Sequence, residues 1–206
     1  MEKENSAKER LIDTAAVLFQ RQGYASTGIN QILKESGVPK GSLYYYFPGG
    51  KESLAVAAVL RIRDTIDKKI RLKLDKYDEP LKAYRYLLKD TMEAIKVPGK
   101  INLSTVSLIA LETSVDSEPL RNACKSANDT WSATFSEKLL KSGYKKENAK
   151  AIGHLIFMLI DAAMINSLTR EDIQAFELVD QLLPTLLCWD AEKASKEREN
   201  YESIGV

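Results

Sequence analysis

The chain has 206 residues, of which 44% are apolar and 29% charged, and its net charge is +1. This composition suits one or two ordinary globular domains. The apolar run Leu155 to Ile160 ends at Asp161, and no run approaches the ~18 residues that span a bilayer.

The start, M-E-K-E-N-S, lacks the apolar segment of a secretory signal. Cys124 and Cys188 stand 64 apart with no partner motif. They point to a reducing cytoplasm rather than a disulfide scaffold or a zinc site. Charge is unevenly spread. Residues 1–76 hold 14 basic and 9 acidic side chains, and residues 77–206 hold 16 and 20. A mildly basic front and an acidic back orient a molecule toward a polyanion.

Taken in order, Ser6 and Glu9 form a capping box, and Leu11, Ala15, Leu18 and Phe19 recur at helical spacing. The first helix is expected over 6–22, stopped by Gly23. A second helix is expected from about Gly28 to Ser36, with Ser26 or Thr27 as N-cap and Ile29, Ile32 and Leu33 inward. Gly37 stands where a C-terminal cap needs positive φ. Pro39 opens a third helix at a position that tolerates a missing N–H.

That third helix, with the segment S-L-Y-Y-Y-F, is short. A helix of about two turns buries one narrow stripe, here Leu43 and Phe47. Tyr44, Tyr45 and Tyr46 are left facing outward with Lys40 and Ser42. Two short helices sharing one apolar face across a glycine turn form the helix-turn-helix pattern. The exposed phenols, lysine and serine call for a polar partner, and the DNA major groove fits. An αα-corner inside a larger bundle is the alternative, but it has no use for the aromatic face.

Pro48-Gly49-Gly50 breaks the third helix, and its glycines are a candidate hinge. A long helix is expected from Lys51 to Lys76, apolar first and charged later. Five further helices are expected: 79–97 ended by Pro98-Gly99, 101–114, 117–143 capped by Ser117, 146–168, and 170–189 containing Pro184. The tail 192–206 is expected to fray. The chain therefore reads as all-α, with about nine helices. Residues 1–50 form the helix-turn-helix domain, 51–76 a connecting helix, and 77–206 a ligand-binding and dimerisation domain.

The order and spacing of I-D-T-A-A-x-L-F-x-x-x-G-Y, T-G-I-N-Q-I, S-G-V-P-K-G-S-L-Y-Y-Y-F and K-E-S-L over residues 8–54 resemble the N-terminal domain of TetR-type bacterial transcription regulators. The segment from Phe47 to Glu52 is one residue longer than the commonest form and resembles the lincomycin-resistance repressor subgroup. The resemblance implies a cytoplasmic homodimer that joins through its last two long helices. It implies repression at a palindromic double-stranded operator and release by a small-molecule inducer, apolar or aromatic for this subgroup. It implies no cofactor, metal or membrane. The alternatives are a DNA-binding protein of this fold without small-molecule sensing, and an activator.

Under that resemblance Thr27 offers its hydroxyl and the N-terminus of the second helix to a phosphate. Lys40, Gly41, Ser42, Tyr44 and Tyr45 occupy the groove-facing positions. Lys40 can donate to guanine or to phosphate, Gly41 permits close approach, Ser42 is small enough for a base edge, and the tyrosines can reach a thymine methyl or a phosphate. Tyr46, where histidine is common, and Lys51 are expected on the DNA backbone.

For the inducer, the helix over 146–168 carries two apolar stripes: Ala151, Leu155, Met158, Ala162 and Ile165, and then His154, Phe157, Asp161 and Met164. Burial on both sides follows, with one side available for a partner subunit and the other for a cavity. Asp161 is costly to bury unpaired, so it bonds a ligand, a neighbour or the partner subunit. Phe157, Asp161, Met164, Trp131, Phe135 and Met92 are the candidate ligand-binding residues, since methionine and aromatic side chains suit adaptable pockets. Core packing explains each of them equally well.

An enzyme is not expected. One histidine, two scattered cysteines and no cofactor loop make no catalytic set. G-G-K-E-S resembles a phosphate loop, but that motif needs glycine at position 45 and Ser or Thr at 52, where this chain has Tyr45 and Glu52.

Overall fold

A computed structural model describes residues 6–95, 104–113 and 115–189. Nine helices and no strand occur among them: α1 (Ala7–Gln22), α2 (Ile29–Ser36), α3 (Lys40–Tyr46), α4 (Lys51–Leu74), α5 (Pro80–Ile95), α6 (Ser104–Thr113), α7 (Glu118–Lys141), α8 (Lys146–Arg170) and α9 (Gln174–Leu187). The expected stop at Pro98-Gly99, the start of α6 at Ile101 and the tail 192–206 lie outside the described residues.

The helices divide into two compact units, Met1–Lys69 with Val97–Thr130 and Ile70–Lys96 with Trp131–Val206. α4 and α7 each contribute residues to both, so these units cut the chain differently from the expected segments 1–50, 51–76 and 77–206.

In the first unit, α1 buries Leu11, Ile12, Ala15, Ala16, Leu18 and Phe19. α2 adds Ile32, α3 adds Leu43, and α4 adds Leu54, Ala55, Ala58, Val59, Ile62 and Ile66. Ser6 caps α1 by accepting from the Glu9 N–H at 3.3 Å. Gly37 ends α2 in the left-handed region at φ 64°. Arg61 of α4 pairs with Glu9 and Asp13 of α1. Ser117 accepts from the Leu120 N–H at 3.2 Å and donates to Glu52 at 2.5 Å, so the cap of α7 is also tied to the first turn of α4.

In the second unit, Tyr84 stacks on Phe135 with centroids 5.8 Å apart, and its hydroxyl donates to the Phe135 carbonyl at 2.8 Å. α8 buries Ile152, Gly153, Ile156, Phe157, Ile160, Ala163 and Met164 and packs most extensively against α9. By length and composition alone α8 could cross a membrane, having an 18-residue window of mean hydropathy 1.7. Its apolar content instead supplies this core on one face, and an exposed stripe on the other.

Two boundaries differ from expectation. α8 runs on to Arg170, and α9 begins at Gln174 instead of Arg170. Glu171 adopts a left-handed conformation at φ 58° and terminates α8, while the Asp172 carboxylate accepts from the Gln174 N–H at 3.1 Å. The Gly49-Gly50 pair, the candidate hinge, forms a tight turn. Gly50 is buried at φ 63°, its N–H donates to the Phe47 carbonyl at 2.8 Å, and its carbonyl accepts from Leu54 at 3.1 Å.

Candidate nucleic-acid interface

α3 is pinned from beneath. Leu43 and Phe47 are buried at 0% and 4% exposure, and that single stripe decides which side chains face out. Tyr44, Tyr45 and Tyr46 are 43%, 79% and 38% exposed, so Tyr45 is the one that stands mostly free of the protein. Tyr45 and Tyr46 meet edge to face, 5.0 Å between centroids. Lys40 and Gly41 are exposed, and Ser42 is half-buried beside them.

Gly41 is informative because its own fold does not require it. A Cβ there would meet nothing within 4 Å, and its φ is not positive. Glycine inside a helix costs roughly 0.5–1 kcal/mol against alanine. The interior therefore sets no requirement for glycine at this position.

Thr27 departs from expectation. It is fully buried, and its hydroxyl donates to the Gly23 carbonyl at 2.7 Å, so the side chain cannot reach a phosphate. It does not cap α2 either. Gly28 takes that place without a side-chain bond, because a threonine turned inward to close the α1–α2 turn has no hydroxyl left for the cap. The first-turn N–H groups of α2 remain the part of this site suited to an anion.

Lys51 is committed within the protein. Its ammonium donates to the Ala25 carbonyl at 3.4 Å and lies 4.2 Å from the centre of the Tyr24 ring. Partial burial pulls its pKa down, opposed by the nearby Glu112 carboxylate. Glu112 was not among the expected residues. It sits on α6 and accepts from the Ala25 N–H at 2.9 Å, 87 residues away, a separation that leaves no periodic trace in sequence.

Of the six expected ligand residues, three come together in the second unit. Phe157 meets Trp131 at 6.2 Å and Phe135 at 6.1 Å between centroids. Met164 is also buried, Met92 and Asp161 are half-buried, and Asp161 is engaged by its surroundings. The Nδ1 of His154 hydrogen-bonds the Ser132 hydroxyl at 2.8 Å. A cleft lined by Arg71, Leu74, Asp75, Thr134, Glu137, Lys138 and Lys141 contains none of the six. Among the described residues no group of His, Cys, Asp and Glu could hold a metal ion.

Residues 11–58 match the family described as bacterial regulatory proteins, tetR family. Residues 80–182 match the C-terminal domain described as transcriptional regulator LmrA/YxaF-like. The chain is 38% identical to the uncharacterized HTH-type transcriptional regulator YxaF of Bacillus subtilis (strain 168), over 91% of this chain and 98% of that protein. It is also 38% identical to the HTH-type transcriptional regulator LmrA of the same organism, over 88% and 96%. The crystal structure of reduced E. coli NemR superposes with a TM-score of 0.74 at 21% identity, covering 85% of this chain and 93% of that one.

Proposed function

Because the chain belongs to the TetR family of bacterial regulatory proteins, with an LmrA/YxaF-like C-terminal domain, we propose that it is a cytoplasmic, dimeric repressor released from a palindromic operator by an apolar or aromatic inducer. It is a transcriptional regulator and not an enzyme, as its relatives are. The observation that carries the DNA reading is the outer face of α3. Three exposed tyrosines, Lys40 and the unobstructed Gly41 share it. In this reading Gly41, Ser42, Tyr44 and Tyr45 meet base edges, and Lys40 donates to guanine or phosphate. Tyr46 and the first turn of α2 meet the DNA backbone.

The dimer is proposed through α8 and α9. Leu155, Met158 and Ile165 of α8 and Leu178 and Leu182 of α9 are 38–57% exposed, an apolar stripe of the kind that marks a protein contact. Two copies joined there would present two α3 helices one DNA turn apart, or a multiple of it. Residues 77–206 hold the inducer, with Trp131, Phe135, Phe157, Met164 and Met92 as apolar lining and Asp161 as the polar contact. Release by a factor of about one hundred needs ~2.7 kcal/mol of differential inducer affinity between the two states.

The test is a mobility shift at fixed salt on the gene's own upstream DNA, with unrelated DNA as competitor. A dimer-sized complex that resists competitor and dissolves with an aromatic compound is the expected result. Binding no better than to competitor rejects the reader role. A template-dependent rise in transcription on adding protein identifies an activator instead.

A further inference from the structure

Ala25 lies in the turn between α1 and α2, and its backbone is gripped from two helices. Its N–H donates to the Glu112 carboxylate of α6 at 2.9 Å. Its carbonyl accepts from the Lys51 ammonium of α4 at 3.4 Å. Gly23 makes room for this: a Cβ there would stand 2.5 Å from Glu112 Oε1. The Lys51 ammonium also covers Tyr24, which tilts against Phe19 of α1 at 5.4 Å. The turn closes on itself through Thr27, whose hydroxyl bonds the Gly23 carbonyl and whose N–H bonds the Tyr24 carbonyl at 3.2 Å. α2 then begins at Ile29, after Gly28 as an N-cap that offers no side-chain bond.

We infer that Glu112 is a positioning residue for DNA binding, which holds the α1–α2 turn through the Ala25 amide and so sets where the first turn of α2 stands. The inference rests on the DNA reading of α2 and α3. It makes α6 part of the reading unit, in keeping with the grouping of Val97–Thr130 with the first helices. A carboxylate near a DNA-facing segment would by charge alone repel phosphate. Its removal would then tighten binding, whereas loss of positioning weakens it. The two accounts differ in sign.

The experiment uses the full chain and a duplex selected by wild-type protein from a random pool. Operator affinity, affinity for unrelated DNA, exchange of the Ala25 amide and Tm are measured for wild type, Glu112→Ala and Glu112→Gln. We expect Glu112→Ala to lose roughly tenfold or more in operator affinity while its binding to unrelated DNA holds or rises. Its Ala25 amide should exchange faster with Tm little changed, since Glu112 is exposed. Glu112→Gln keeps an acceptor oxygen and should restore both operator binding and amide protection. Operator binding by Glu112→Ala at or above the wild-type level overturns the inference alone, as does unchanged Ala25 exchange. Wild-type protein that selects no sequence overturns the DNA reading and this inference with it.

Discussion

A Cβ on Gly153 of α8 would stand 2.5 Å from the backbone nitrogen of Ser136 in α7 and 2.6 Å from its hydroxyl oxygen. The two helices meet backbone to backbone there, beside Phe135 and Phe157. Gly153→Ala would gain up to about 1 kcal/mol of helix propensity. The hydroxyl can rotate away, but the Ser136 nitrogen and Cα are main chain and cannot. Overpacking of this kind costs about 1–3 kcal/mol, so the steric term wins, and thermal unfolding followed by circular dichroism should give a lower Tm. A Tm at or above wild type would show that α7 and α8 part to admit the methyl group.

On α3 the same substitution should act oppositely on stability and binding. Gly41→Ala meets no protein atom and should stabilise the free protein by up to about 1 kcal/mol. The added methyl would stand between the backbone and the groove, so operator affinity should fall. Tyr45→Ala, at the most exposed of the three tyrosines, should leave Tm within the small range usual for surface changes and weaken specific binding more than binding to unrelated DNA. Equal losses on both DNAs would reduce Tyr45 to a phosphate contact.

Glu171 is the single positive-φ residue other than glycine among the described residues, at φ 58°. A left-handed conformation costs a residue with a Cβ roughly 1–2 kcal/mol, and a carboxylate at a helix C-terminus opposes the helix dipole. Glu171→Gly relieves both, offset by glycine's greater freedom in the unfolded chain. A net gain of about 0.5–1 kcal/mol is expected, read as a higher urea midpoint at unchanged slope. A lower midpoint would mean that the Glu171 side chain contributes more than its backbone strain removes.

Stability should decline at alkaline pH. Burial pushes the Cys124 thiol up from 9.0 to about 11 and raises the Tyr84 phenol above its usual 10.0. Both groups are neutral when folded, and the unfolded chain ionises them first. Above pH 9 the unfolded state therefore binds fewer protons, and stability present below that pH is lost as pH rises toward 11. Cys124→Ala should flatten part of the slope. Urea midpoints equal at neutral and alkaline pH would contradict this. Thiol labelling offers a second check: Cys188 is exposed and Cys124 buried, so one thiol should react quickly in the native protein and the second only on unfolding.

Met158 lies on the exposed apolar stripe of α8 at 44% exposure. Met158→Glu should leave the monomer fold intact and place like charges opposite each other in the proposed interface. Sedimentation should then report a monomer, and operator affinity should fall with the lost second half-site. A dimer that persists unchanged would move the interface away from α8.

Much of the fold was legible because its determinants are local. Ser6 caps α1 by accepting from the Glu9 N–H three residues on, although the Glu9 carboxylate turns to Arg61 instead of completing the capping box. Gly37 and Pro39 mark the turn by their own backbone preferences. Leu43 and Phe47 recur one helical turn apart, so their burial forces the tyrosines outward. The helix ends failed where local preference was overruled, as when Glu171, no natural left-handed residue, took that role and delayed α9 to Gln174.

The sequence by itself determined the all-helical class, the helix-turn-helix and the aromatic face of α3, since each follows from residue types at short, periodic spacing. Only the tertiary structure decided that Thr27 turns inward, that Lys51 is held by the Ala25 carbonyl and Tyr24, that Glu112 reaches the same turn, and that Gly153 must be glycine. Each of these depends on a partner from 4 to 87 residues away. The longer of those spacings carry no period, and all four contacts are set by how helices pack rather than by what any one helix prefers.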